Sequence, residues 1–195
     1  AFVGQDMVVH LAAQLCQEPW DSMVKTNLIG TRNVYEAARQ AGVKRIVYAS
    51  SGATIAGVER NAPYNAIAEG RYEDVPNHWP IITHDTVCPK GVYGASKVWS
   101  EALGRYYSDT FGMSILCARI GSVCQENYPR TPREFAVFLS HRDVVDFLHK
   151  CIEAPEALKF DIFFATSRNK WSYRDLEHPR QVLGFKRQDS AESYR

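Results

Sequence analysis

The sequence has no run approaching the roughly 18 apolar residues that cross a bilayer, and its N-terminus carries no basic segment followed by an apolar one. Neither a membrane partner nor secretion is therefore expected. Charge of one sign is also scarce: 23 Lys and Arg against 22 Asp and Glu leave a net charge of +1, which removes the electrostatic argument for a nucleic-acid partner. The five cysteines, Cys16, Cys88, Cys117, Cys124 and Cys151, make neither a Cys-x-x-Cys pair nor the Cys/His spacing of a zinc site. No metal centre is expected, and a reducing cytoplasm is the expected compartment. Two further absences bear on the fold. No Met precedes "AFVGQDMVVHLAA", and no Gly-x-x-Gly-x-x-Gly follows any strand-like run.

What is present reads as one domain of alternating strands and helices. "DMVVHLAA" is a first strand with its exit. "WDSMVKTNLIGTRNVYEAARQAG" is a long helix with Met23, Leu28, Val34 and Ala37 inward and Gly42 as its stop. "VKRIVYASS", "MSILCARIG" and "KFDIFFATS" are further strands. Their unbroken apolar centres are those of a parallel sheet covered on both faces. A helix runs from about Tyr93 to Gly112, another follows Ser140 as N-cap, and a short one closes at Gly184. Residues 57–89 carry Pro63, Pro76, Pro80 and Pro89 among aromatics without a period, and are expected to form a long loop or lid.

In open parallel sheets ligands bind beyond the carboxyl ends of the strands. Those ends carry "HLAA" (10–13), "ASSGAT" (49–54) and "RIGS" (119–122), rich in small residues that let a ligand approach the backbone. The Tyr93 helix starts near the same edge. There an ammonium one turn from the Tyr93 phenol favours the phenolate and fits it to take a hydroxyl proton. A serine at the second strand exit would hold the substrate oxygen. Alcohol oxidation by this set needs a hydride acceptor that no side chain provides, hence a nicotinamide. In isolation the pair is an ordinary i, i+4 neighbourhood; the converging strand exits favour chemistry. His10 reads as packing at a strand end, His141 with Asp143 as first-turn helix chemistry, and Tyr72 and Trp79 as loop packing. Arg119 is left between a structural pair and substrate contact.

"HLAA", "NLIGTRNVYEAA", "RIVYASS", "YGASK" and "ARIGS", in that order, resemble the extended short-chain dehydrogenase/reductase superfamily, the NAD-dependent epimerase/dehydratase group. The resemblance implies a Rossmann-type doubly wound parallel α/β sheet lacking its first strands. Residues 1–122 would be the remaining dinucleotide-binding part and 123–195 mostly a small substrate-binding part of one domain. It implies Ser51, Tyr93 and Lys97 as the catalytic set, with Lys97 also holding the nicotinamide ribose. Leu11, Ala12, Ala13, Asn27, Ala49, Ser50, Ile120 and Ser122 would lie on the cofactor side, and Ser51, Gly52, Ala53 and Ser122 on the substrate side. Ser51 is preferred to Ser50 as the catalytic hydroxyl by its place after the apolar run.

"RIGSVCQENYPRTPREFAVFLSHRDV" and "LGFKRQDSAESYR" are similar to the uronate dehydrogenase branch, which implies Arg133 as the grip on a substrate carboxylate. The branch's Asn-His after the serine is Gly52 and Ala53 here, and its serine after the first strand is Leu15. Residues 57–89 would then cover the sugar pocket. The glycine-rich phosphate-binding unit would precede residue 1, so that NAD is expected and NADP is not excluded. The expected activity is oxidation of a sugar or sugar acid. The alternatives are a nucleotide-sugar epimerase or dehydratase, or a non-catalytic dinucleotide-binding fragment. A homodimer is expected through the helix bearing Tyr93 and Lys97, with Trp99, Leu103, Tyr106 and Tyr107 as its apolar surface.

Overall fold

The computed structural model describes residues 2–15 and 19–195, so that Cys16 lies outside the described residues. Four parallel strands, β1 (Met7–His10), β2 (Arg45–Ser51), β3 (Ser114–Ile120) and β4 (Phe160–Ala165), pair in chain order. Residues 45–50 and 114–119 are all buried, because helices cover both faces of the sheet. One face packs Ile46, Tyr48, Ile115 and Cys117 under α2 (Thr31–Gln40) and α4 (Val92–Phe111), with Tyr35, Ala38 and Tyr107 completely or nearly buried. The other packs Val47, Leu116, Ala118 and Phe163 against Phe147 and Cys151 of α6 (His141–Glu153) and Leu183 of α7 (Glu177–Leu183). Arg45 ties this face to the end of α6, donating to the carbonyls of Ile152, Ala154 and Pro155 at 2.9, 2.6 and 2.8 Å.

The strands, α4 and the Ser140 cap follow the sequence reading; Ser140 Oγ accepts the Asp143 amide at 3.0 Å. Gly112 closes α4 at φ 68°, a conformation that favours glycine. Two elements differ. The segment from Trp20 to Gln40 is α1 (Trp20–Met23), a wide-pitched turn of Val24–Gly30, then α2. The wide turn shifts the phase, so that Asn27, Thr31, Tyr35 and Ala38 are buried after Met23, while Val34 packs half-buried against the same core and Leu28 and Ala37 are only half-buried.

Residues 57–89 are also no loose lid. A tight turn at Ala56–Arg60, α3 (Tyr64–Glu69) and a turn at Tyr72–Asp74 form a folded insertion. Its Val58, Tyr64 and Ile67, with the preceding Ile55, pack on Ala136 and Val137 of α5 (Glu134–Val137) and on Phe164 and Tyr173. Tyr72 stacks on Trp171 at 4.2 Å, and Trp79 donates to the Ser172 carbonyl at 3.3 Å, the packing roles expected of both.

Candidate active site

Ser51, at the carboxyl end of β2, caps the turn Gly52–Thr54. Its Oγ accepts the Ala53 amide at 3.1 Å, and Thr54 Oγ1 donates to its carbonyl at 2.9 Å. The first turn of α4 docks directly on this cap. Gly94 makes the approach possible: a Cβ there would lie 3.0 Å from the Ala53 carbonyl carbon and closer still to its oxygen. Tyr93 is thereby carried to the Ser51 edge, half-buried beside a cavity of about 450 Å³ lined by Trp20, Met23, Ala53, Ala56 and residues 90–94.

One turn further on, Lys97 is 2% exposed. Its Nζ donates to the Ala49 carbonyl at 2.6 Å and stands 4.8 Å from the Tyr48 ring centre and 5.7 Å from that of Tyr93. Burial lowers its amine to about 8, against the pull of Glu101 toward the charged form. An ammonium here is therefore costly and lies within reach of the Tyr93 ring. His10, stacked obliquely on Tyr48, donates to or accepts from Thr31 at 3.3 Å; burial first, and Lys97 second, lower it to about 4.

Asn27 holds the edge together. Its side chain pairs with both backbone groups of Gln14, at 2.7 and 2.9 Å, and reaches Ser96 Oγ at 3.2 Å; Ser96 in turn donates to the Tyr93 carbonyl at 2.7 Å. It thus braces the β1 exit against the start of α4 without offering a free polar atom to a ligand. Leu11 is 56% exposed, with Ala12 exposed and Ala13 half-buried, an apolar ledge at that exit. Ala49 is buried, and Ile120 ends β3 opposite Ser51.

Several expected side chains have other duties. Ser50 alternates to the opposite face from Ser51, and its Oγ donates to Glu101 at 2.5 Å. Glu101 is locked to Arg119 by two bonds of 2.9 and 2.8 Å with both side chains buried, so that Arg119 is structural. Ser122 Oγ donates to Glu134 at 3.1 Å. Arg133 is held by Glu59, its Nε 2.9 and 2.8 Å from the two carboxylate oxygens and an Nη at 2.7 Å. Of the expected dimer surface, Trp99 and Tyr106 are exposed and Leu103 half-buried. Tyr107, by contrast, is a core residue bonded to Glu36 at 3.0 Å.

The structure adds residues that the sequence reading missed: Glu59 in the insertion, and Tyr173 and Arg174 after β4. The only sequence signal of the last two is a charged, aromatic run, "NKWSYRD", and Glu59 has none. Among the described residues His84, Asp161 and His178 also gather ligand-type atoms within 4.8 Å of one another. The two imidazoles stack at 4.2 Å and 16°, so that their in-plane lone pairs run side by side and do not meet at one point.

For a nicotinamide and its ribose the edge fits: an exposed apolar ledge at Leu11–Ala13 lies at the same sheet end as a buried amine. For the pyrophosphate and adenosine the 195 residues offer no glycine-rich turn.

The profile described as "NAD dependent epimerase/dehydratase family" matches residues 1–141. The chain is 32% identical, over 100% of its length and 72% of the relative's, to an NAD-dependent glucose-6-phosphate dehydrogenase of Haloferax volcanii. It is 35% identical, over 98% of its length, to a uronate dehydrogenase of Agrobacterium fabrum, of which it spans 64%. The crystal structure of uronate dehydrogenase from Agrobacterium tumefaciens superposes with a TM-score of 0.81 at 31% identity, covering 99% of this chain and 65% of that one.

Proposed function

The chain belongs to the NAD-dependent epimerase/dehydratase family, and from that premise we propose that it serves an NAD(P)-dependent dehydrogenase oxidising an alcohol or hemiacetal of a sugar or sugar acid. The observation that carries the reading is the docking of Tyr93 and Lys97, through Gly94, onto the turn capped by Ser51. In this reading Ser51 donates to the reacting oxygen and orients it. Tyr93 takes the hydroxyl proton at its phenolic oxygen, and the Lys97 ammonium favours the anion that prepares it to do so. NAD, when bound, supplies the hydride acceptor. Lys97 and the ledge Leu11–Ala13 would hold its nicotinamide end, with Ile120 alongside, while Asn27 keeps ledge and helix in register.

We assign Gly52 and Ala53 to the substrate side because they line the turn beside Ser51, and Ala53 also lines the cavity next to Tyr93. Two copies would pair along α4 through Trp99 and Tyr106, in the reducing cytoplasm. Incubating the complete polypeptide with NAD and, separately, a free uronate, a sugar phosphate, a neutral aldose and a UDP-sugar tests the function. Stoichiometric NADH from a free sugar supports it. Conversion of the UDP-sugar without net NADH would make it an epimerase or dehydratase, and no turnover of any would leave it a binding fragment.

A further inference from the structure

A second set of ionisable side chains closes on the Ser51 turn from the insertion and from the segment after β4. The two segments are clamped by backbone: the Ile82 amide donates to the Tyr173 carbonyl at 2.7 Å, and the Asp175 amide to the Ile82 carbonyl at 2.9 Å. Between those bonds sits Arg174, 3% exposed. Its guanidinium lies against Gly52. A Cβ there would be 2.6 Å from Cζ and 2.8 Å from Nη1, so that only glycine after Ser51 leaves it room.

The charges around it do not balance. Glu59 accepts from Arg133 at both oxygens and from the Tyr173 hydroxyl at 2.6 Å. Burial alone would raise its carboxyl, yet these partners hold it below the ordinary range. Arg133 is thus answered inside the protein. Arg174 has no such carboxylate: it shares a hydrogen bond with the Tyr173 side chain and lies beside the Phe164 and Tyr173 rings, but its Nε and Nη1 are buried with no hydrogen-bond partner among the described residues. Burial lowers its pKa, with Tyr173 and Glu59 pulling it back up and Arg133 adding to the fall, but a guanidinium starts so high that it stays protonated. Of the two guanidinium groups only Arg133 is in an ion pair, which leaves Arg174, against Gly52, a buried cation without a paired carboxylate among the described residues. A buried charge without a partner is among the costliest features a fold can retain, and a ligand that brings an anion removes that cost.

We propose that Arg174 receives an oxyanion group of the sugar substrate, a carboxylate or a phosphate, beside Ser51, while Glu59 withdraws Arg133 from that task. The proposal rests on the sugar dehydrogenase reading for the identity of the ligand. The planar fork of the guanidinium suits two oxygens of either group.

Binding, read by calorimetry on the complete polypeptide, tests this without turnover. The ligands are glucuronate, glucose 6-phosphate and glucose, and the tighter of the two anions identifies the group. The parent should bind an anionic sugar roughly 30-fold or more tightly than glucose. Arg174→Met should abolish that preference, and Arg174→Lys, which keeps charge without the fork, should retain part of it and serves if the Met variant does not fold. The double variant Glu59→Gln, Arg133→Met, which removes the internal pair without stranding a charge, should keep the preference within about threefold.

A parent that does not discriminate, or a preference that survives Arg174→Met and vanishes in the double variant, overturns the assignment. Anion preference without any NADH formation would keep Arg174 and refute the dehydrogenase; NADH from sugars bound without anion preference would do the reverse.

Discussion

Replacing Lys97 by Met should make the protein more stable and nearly inactive. The amine is 2% exposed and donates to the Ala49 carbonyl beneath the Tyr48 ring. Its fall from 10.5 to about 8 corresponds to about 3 kcal/mol of burial cost. The sign follows from proton counting. Below pH 8 folded and unfolded chains both carry the proton and the folded state bears the full cost. Between pH 8 and 10.5 the unfolded chain holds a proton that the folded one has lost, so stability rises with pH. Methionine removes the cost but strands the Ala49 carbonyl, worth about 1–3 kcal/mol. The net gain at pH 7 is then about 0–2 kcal/mol.

Urea unfolding of parent and variant from pH 7 to 10.5 reads it directly. The Met variant should lead at neutral pH and lose its lead as pH rises, while NADH formation falls about 10²- to 10⁴-fold. A variant less stable than the parent at pH 7, or a difference that ignores pH, refutes the reasoning.

Acid should act through His10: held at about 4 against 6.5 in the unfolded chain, it withholds a proton that the unfolded state binds. Stability should fall by up to about 3 kcal/mol between pH 6.5 and 4, a slope that His10→Gln flattens in denaturant titrations. Glu101→Gln leaves Arg119 buried without its counter-charge and should cost about 3–5 kcal/mol in unfolding free energy; replacing both by apolar residues should cost far less. Gly94→Ala drives a Cβ into the Ala53 carbonyl and should lower both the melting temperature, by an overpacking cost of about 1–3 kcal/mol, and the turnover number.

Strands β2 and β3 were legible because a sheet buried on both faces writes itself as an unbroken apolar run, and α4 because Gly112 marks its end. The docking of Tyr93 and Lys97 on the Ser51 turn was foreseeable from the rule that parallel sheets gather chemistry at one edge. The phase of Asn27, Thr31 and Tyr35 was not, since a wide-pitched turn of 7 residues leaves no mark on a period of 3.6. The insertion was opaque for a related reason: Val58, Tyr64 and Ile67 are buried by three short elements, each too brief to show a repeat. Arg133 illustrates the deeper limit. The family resemblance marked it for a carboxylate, and it has one, but that carboxylate is Glu59, 74 positions away in the segment without a pattern. Arg174 stood in plain view in the sequence and acquired meaning only from the space that Gly52 leaves.

The central claim is that the Tyr93 phenol is the base. In the complete polypeptide Tyr93→Phe keeps the ring and removes one oxygen, so sugar binding should stay within about threefold while NADH formation at saturating sugar falls about 10²- to 10⁴-fold. An undiminished rate would contradict the account.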